Sequence, residues 1–153
     1  MVVTPTKGPT MNAPTETFSK EERDAMRERA KELKAEAKRR ATRADGERDL
    51  LEKIAEMPAD DKAIAERIHA LVSDAAPELD PKTWYGQPAW AKDGKVIVFF
   101  QSSAKFGTRY CTLGFSEDSA LDDGSMWPTS FGILSLTADD EKRITALVKK
   151  AVG

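Results

Sequence analysis

Ten of the eleven aromatic side chains fall within the 48 residues from Trp84 to Phe131, and Phe18 is the exception. Ten large rings cannot all be left in water, so this stretch must supply much of the core. Its local pattern is that of strands: from Lys82 onward the residues turn aromatic and β-branched, punctuated by Gly, Pro, Asp and Ser. Thr83-Trp84-Tyr85-Gly86-Gln87-Pro88-Ala89-Trp90 reads as a short strand, a kink and a second strand. Gly packs nothing and Pro lacks a donor, so Gly86 and Pro88 predict a bulge or an edge, with Tyr85 and Trp90 at the mouth of the sheet. Asp93-Gly94 predicts a hairpin turn. Residues 95–101 are apolar on both faces, which predicts a central strand. Residues 102–107 form a loop, 108–115 a strand, 116–121 a short helical turn and 131–136 a last strand.

The first third of the chain is built differently. Residues 19–44 hold ten Lys and Arg against six Asp and Glu, whereas the whole chain holds 24 against 26. They contain no Gly, Pro, Ile or Val, and are dominated by strong helix formers. Ser19-Lys20-Glu21-Glu22 is a capping-box signature that starts a helix at Ser19. Its apolar stripe, Met26, Ala30, Leu33, Ala37, Ala41 and Ala44, is mostly alanine and packs weakly. Asp45-Gly46 predicts a break and a domain boundary. A second helix then runs over 47–56 with Leu50, Leu51, Ile54 and Ala55 on one face, and Pro58 ends it. A third runs over 60–75 with Ile64, Ile68, Leu71, Val72 and Ala75 inward. Thr137, with Asp140 three residues on, caps a final helix whose inner face is Ile144, Leu147, Val148 and Ala151.

Helices, then strands without intervening helices, then a helix predict an α+β domain and exclude a doubly wound parallel sheet. The expected architecture is an antiparallel sheet covered on one face by helices and preceded by a long charged N-terminal helix. The expected division is a disordered tail at 1–18, a charged helical arm at 19–45 and an α+β domain at 46–153. No apolar run is long enough for a membrane span, and the N-terminus lacks the apolar stretch of a secretory signal, so the expected location is the cytoplasm.

Little of the chain carries recognisable chemistry. Cys111 is the only cysteine and His69 the only histidine, which excludes a disulfide framework within the chain and metal sites built from Cys or His clusters. His69 borders the apolar stripe of its helix, as a structural histidine would. Ser102-Ser103 lacks nucleophile-elbow glycines, and phosphate-binding glycine loops are absent. Glu117, Asp118, Asp122 and Asp123 crowd one loop and are the candidate metal ligands, oxygen donors suited to a hard cation. Asp139, Asp140 and Glu141 are explained by a helix N-terminus. In the arm, acids interleaved among the bases dilute attraction to phosphate and no aromatics accompany them, so nucleic acid is not the expected partner.

The aromatics are the remaining candidates. Neighbours on a strand face opposite sides, so Trp84 and Tyr85 fall on opposite faces, as do Phe99 and Phe100. One set packs under the helices. The other faces away, with the loops at 102–107 and 117–127 able to close over part of it. The expected ligand-binding set is Trp84, Tyr85, Trp90, Phe100, Phe106, Tyr110 and Trp127, with Trp90 and Trp127 at the rim. It would take a small apolar ligand or a protein partner.

Three segments, Ala75-Ala76-Pro77-Glu78, Trp84-Tyr85-Gly86-Gln87-Pro88-Ala89-Trp90 and Asp93-Gly94-Lys95, resemble the YdhG-like bacterial domains of unknown function. The resemblance covers about residues 47–151 and rests mainly on the Tyr-Gly-x-Pro-Ala string. It implies an α+β fold with an antiparallel sheet and hardly any chemistry. One branch of that family is described as a frataxin-like intracellular iron chaperone, and for this chain iron would have to be held by the carboxylates at 117–123. The expectation from residues and resemblance together is a non-enzymatic binding module that works through an aromatic sheet face and needs no cofactor, with iron handling as the alternative.

Overall fold

The computed structural model describes residues 19–153; the tail expected at 1–18 lies outside them. Helix α1 (Lys20–Ala55) is 36 residues long. Its start is the expected capping box: Glu22 N–H donates to Ser19 Oγ (3.1 Å), and Ser19 N–H to Glu22 Oε1 (3.2 Å). Contacts group the described residues up to Ala41 as one unit and Thr42–Gly153 as a second. In the first unit the helix rests on propensity and on exposed pairs such as Arg27–Asp24, Arg29–Glu32 and Arg40–Glu36, each contributing about 0.3–0.5 kcal/mol.

The break expected at Asp45-Gly46 does not occur; the helix runs through it. A Cβ on residue 46 would collide with the Pro81 carbonyl oxygen, so the glycine allows α1 to approach the backbone of the sheet closely. Beside that contact Arg43 ties the helix to the sheet, donating to Asp80 Oδ1 (2.8 Å) and to the Pro77 carbonyl (2.9 Å). One turn further on, Leu50 and Ile54 enter the core.

Helix α2 (Ala59–Ala75) follows Pro58 and buries Ile64, Ala65, Ile68, Leu71 and Val72. The sheet is an antiparallel meander of β1 (Asp80–Trp84), β2 (Gln87–Lys92), β3 (Lys95–Gln101), β4 (Cys111–Phe115) and β5 (Ser130–Ile133), with its strands in sequence order. The one-turn helix α3 (Ser103–Phe106) lies between β3 and β4. It is capped by Ser102, whose hydroxyl accepts from Lys105 N–H (3.2 Å), where a loop is expected from the sequence. Helix α4 (Ala138–Val152) closes the chain behind the expected Thr137–Asp140 capping box and buries Ile144, Val148 and Ala151.

Two register details decide what each face carries. The segment read as a kinked strand is a hairpin: Trp84 pairs with Gln87, and Tyr85 and Gly86 turn the chain with φ of 50° and 74°. Asp93 and Gly94 do the same between β2 and β3, with φ of 52° and 81°. Two consecutive positive φ values are the type I′ signature of a tight hairpin. Pro88 sits in an inner strand, and pairing of β2 with β3 begins one residue beyond it, at Ala89↔Phe99. The second detail is a bulge: Trp90 pairs with Val98 and Ala91 with Val96, leaving Ile97 without a partner. Ile97 and Val98 are consecutive yet both buried, as a bulge permits.

The core therefore lies on one face. Trp90, Val98 and Phe115 form one cross-strand row of it, and Phe100 and Leu113 the next. Leu50 and Ile54 of α1, the inner stripe of α2, and Ile144, Val148 and Ala151 of α4 pack against these rows. Each fully enclosed Leu, Ile or Phe contributes about 1.5–3 kcal/mol of transfer free energy.

Candidate functional site

The face of the sheet opposite this core carries a cluster of rings. Trp84 ends β1 and is 37% exposed, and Tyr85 opens the following turn and is 81% exposed. Their ring centroids lie 5.0 Å apart, in an edge-on arrangement. On β3, Phe99 faces away from its core-facing neighbours and lies 5.3 Å from Trp84. Two glycines make room for rings: Phe99 covers Gly114 of β4, and the Tyr110 ring covers Gly132 of β5, coming within 2.9 Å of where a Cβ would sit. A glycine without a side chain leaves a bare patch of sheet, and an aromatic laid across it restores packing. Phe99 and Tyr110 thus have a structural use. Tyr85 has none of that kind.

Tyr85 also corrects the expectation that it and Trp84 point to opposite faces. Alternation holds only while the backbone stays extended. At φ 50° the chain has left the strand, and the Tyr85 ring meets the Trp84 ring. Left-handed backbone is rare for a bulky residue and is held only where the surroundings impose it.

Three cations border the rings. Lys82 shares the open face with Trp84 by alternation along β1. Lys105 Nζ lies 2.6 Å from where a Cβ on Gly86 would sit, at the hairpin turn. The Arg109 guanidinium lies 5.4 Å over the Tyr110 ring. None of the three is ion-paired among the described residues, a condition they share with Lys62, Lys95 and Lys149, whereas Arg43, Arg48, Lys53 and Arg67 are paired. Asp80 is the only carboxylate within the five strands, and Arg43 neutralises it.

Of the seven residues expected to bind a ligand, Trp84, Tyr85 and Tyr110 lie on this face. Trp90 and Phe100 do not: they are 1% and 0% exposed and belong to the core. Trp127 packs half-buried against that same core. Phe106 is exposed on α3, without a ring partner among the described residues. Trp90 was placed at a rim because it stands near a turn. In the hairpin it faces the helices, and its Nε1–H donates to His69 Nδ1 (3.2 Å). That bond leaves the imidazole proton on Nε2, which donates to the Glu47 carboxylate (3.0 Å). Phe99, Lys82, Lys105 and Arg109 were missed. The spacing Lys82-x-Trp84 was the available signal, since residues two apart on a strand share a face.

The titratable groups inside the fold are saturated by one another. Asp61 on α2 is 6% exposed. It accepts from Ser103 Oγ (2.8 Å), Ala104 N–H (3.0 Å) and the Cys111 thiol (3.3 Å), tying α2 to α3 and β4. Burial pushes its carboxyl up, but the bonds from Ala104, Ser103 and Cys111 outweigh burial and hold it below the ordinary value. Burial pushes the Cys111 thiol up, and the neighbouring Asp61 adds to that, so the sulfur stays protonated and unreactive. A concavity of about 250 Å³ between β5 and α4 is lined by Leu113, Phe131, Leu136 and Leu147 among others. Its charged groups are engaged: Asp140 in the Thr137 capping box and Arg143 over the Phe131 ring (5.0 Å).

Glu117, Asp118, Asp122 and Asp123 do not converge: no three Asp, Glu, His or Cys among the described residues form a group that could hold a metal ion. Among the described residues no helix is long and apolar enough to cross a membrane. No protein-family model, curated protein or solved structure matches the chain.

Proposed function

We propose that the chain is a non-enzymatic binding module whose working surface is the open face of the sheet, and that it takes a ligand offering a flat ring to Trp84, Tyr85 and Phe99. The observation that carries this reading is Tyr85. It occupies a turn position where Asn, Asp or Gly relieves strain, yet it is a bulky residue with most of its surface in water. It gains little burial there, and among the described residues its one ring contact is to Trp84, itself partly exposed. A strained residue that adds little to packing points to use at the surface. The saturated Asp61, Cys111 and His69 offer no free nucleophile or base, which supports binding over catalysis. Kinship with YdhG-like domains is proposed on the Ala75–Glu78, Trp84–Trp90 and Asp93-Gly94-Lys95 segments alone.

Fluorescence titration tests this. Trp90 is enclosed and Trp127 half-buried, so quenching by an uncharged planar compound such as adenosine should report mainly on Trp84. It should disappear in Trp84→Phe and weaken in Tyr85→Ala. Quenching that is absent, or that survives in Trp84→Phe, would rule the open face out as the binding surface.

A further inference from the structure

The cations around the rings carry the reading of the open face one step further. We infer that the ligand of this face is single-stranded nucleic acid, its bases stacking on Trp84, Tyr85, Phe99 and Tyr110 and its phosphates meeting Lys82, Lys105 and Arg109. The inference rests on the proposal that this face is the binding surface, and it names the partner.

Four observations favour that partner. First, rings on an open, solvent-facing sheet accept bases in succession, because every base has a stacking face. Trp84 touches Tyr85 and Phe99 at 5.0 and 5.3 Å with the planes inclined by 63° and 60°, so bases would stack on the outward faces of this cluster, and Tyr110 lies beyond it over β5. From β1 to β5 the sheet spans about 19 Å, room for several bases. Second, the three cations have no carboxylate partner among the described residues, although acids outnumber bases in the chain. What sets these three apart from other unpaired cations, such as Lys62 and Lys149, is their place beside the rings and the hairpin turn. Third, the strands hold one carboxylate, Asp80, and it is neutralised by Arg43. Fourth, the register puts Gln101, Thr112 and Ser130 on this face. These side chains can donate to and accept from base edges. A duplex hides the faces of its bases and could not use the rings, so the strand must be single.

This reverses the sequence-based expectation, which weighed only the arm. There the charges are mixed and no rings accompany them. On the sheet the rings and the unpaired cations lie together, a grouping that only the hairpin and the register create. Residues 42–153 nevertheless carry 14 Lys and Arg against 19 Asp and Glu. Long-range attraction is therefore weak, and stacking must supply most of the affinity.

The full-length chain should be titrated into a fluorescently labelled oligothymidylate of about 12 nucleotides, with anisotropy as the affinity readout and Trp84 quenching as the positional one. The single strand should bind more tightly than a duplex of equal length. Trp84→Ala and Tyr85→Ala should each weaken binding about tenfold. Affinity should fall with salt with a log–log slope of about −2, as three phosphate contacts on a single strand require. Lys82→Gln, Lys105→Gln and Arg109→Gln together should flatten that slope. Equal binding of duplex and single strand would overturn the inference, as would single-strand affinity unchanged in the Trp84→Ala, Tyr85→Ala double variant. If adenosine quenches Trp84 but the oligonucleotide does not bind, the nucleic-acid partner is wrong and the binding face stands. If neither binds, both readings fall.

Discussion

Trp90 and Trp84 lie on neighbouring, hydrogen-bonded strands and on opposite faces of one sheet, and they have little else in common. Trp90 is enclosed at 1% exposure beneath α1, α2 and α4, and its indole N–H is satisfied by His69. Trp84 is 37% exposed, and its ring meets those of Tyr85 and Phe99 on its own face. The same contrast holds for the charged groups. On the covered side Asp61 is wrapped in donors, whereas Lys82 and Arg109 on the open side have no carboxylate partner among the described residues, as is also true of Lys62 and Lys149 on the helices. A face built for stability satisfies its polar groups internally and fills its space. The open face leaves rings partly in water, which is what the proposed binding role requires.

The largest effect that would break this contrast is in the tryptophans. Trp90→Ala should cost about 3–5 kcal/mol, because it leaves a cavity and deprives His69 of its donor. Trp84→Ala should cost under about 1 kcal/mol. Urea unfolding of both variants measures the difference directly. Comparable losses would mean that the open face is as structural as the covered one.

Asp61 gives a smaller, pH-dependent effect on the covered side. Asp61→Asn should cost about 1–3 kcal/mol at neutral pH, since an amide cannot accept from all three donors at once. The folded-state carboxyl is held below its ordinary value of 3.8, so the native protein binds fewer protons than the unfolded chain between the two values. The advantage of wild type over the variant should therefore be complete above the unfolded value and shrink as pH falls through the folded one. Urea midpoints of the pair, taken from neutrality into acid, should converge. A gap that stays constant would show that the charge of Asp61 contributes nothing and that only its shape matters.

How far the sequence reveals these two faces differs between them. The helices of the covered face are legible: the stripes of α2 and α4 and the Thr137 cap follow from periodicity and local hydrogen-bonding chemistry, though the core positions of Trp90 and Phe100 do not. Three features are not legible. Gly46 reads as a break, but its role depends on Pro81, a contact 35 positions away that no local pattern encodes. Phe99 and Phe100 are equally apolar, and the bulge at Ile97 breaks the alternation that would tell which of them faces the open side, so the expected set holds Phe100 and not Phe99. The third is Tyr85. Asp-Gly announces its hairpin and Tyr-Gly does not, because a residue that strains a turn cannot also signal it.

That third feature yields the smallest effect and the most informative one. The two turns have nearly the same backbone, φ 50° and 74° at Tyr85-Gly86 and 52° and 81° at Asp93-Gly94, so each serves as the other's control. Asn is favoured at the first position of such a turn, and Asp is already close to it. Asp93→Asn should leave the urea midpoint nearly unchanged. Tyr85→Asn should raise stability by about 0.5–1 kcal/mol, because it removes left-handed strain from a bulky residue and gives up only one edge-on ring contact. The same substitution should weaken quenching of Trp84 by adenosine. Gained stability together with lost binding is what a strained surface residue kept for its ligand predicts. If Tyr85→Asn instead destabilises the fold, the ring contact with Trp84 outweighs the strain. Tyr85 is then a packing residue of its hairpin, and the difference between the two turns says nothing about function.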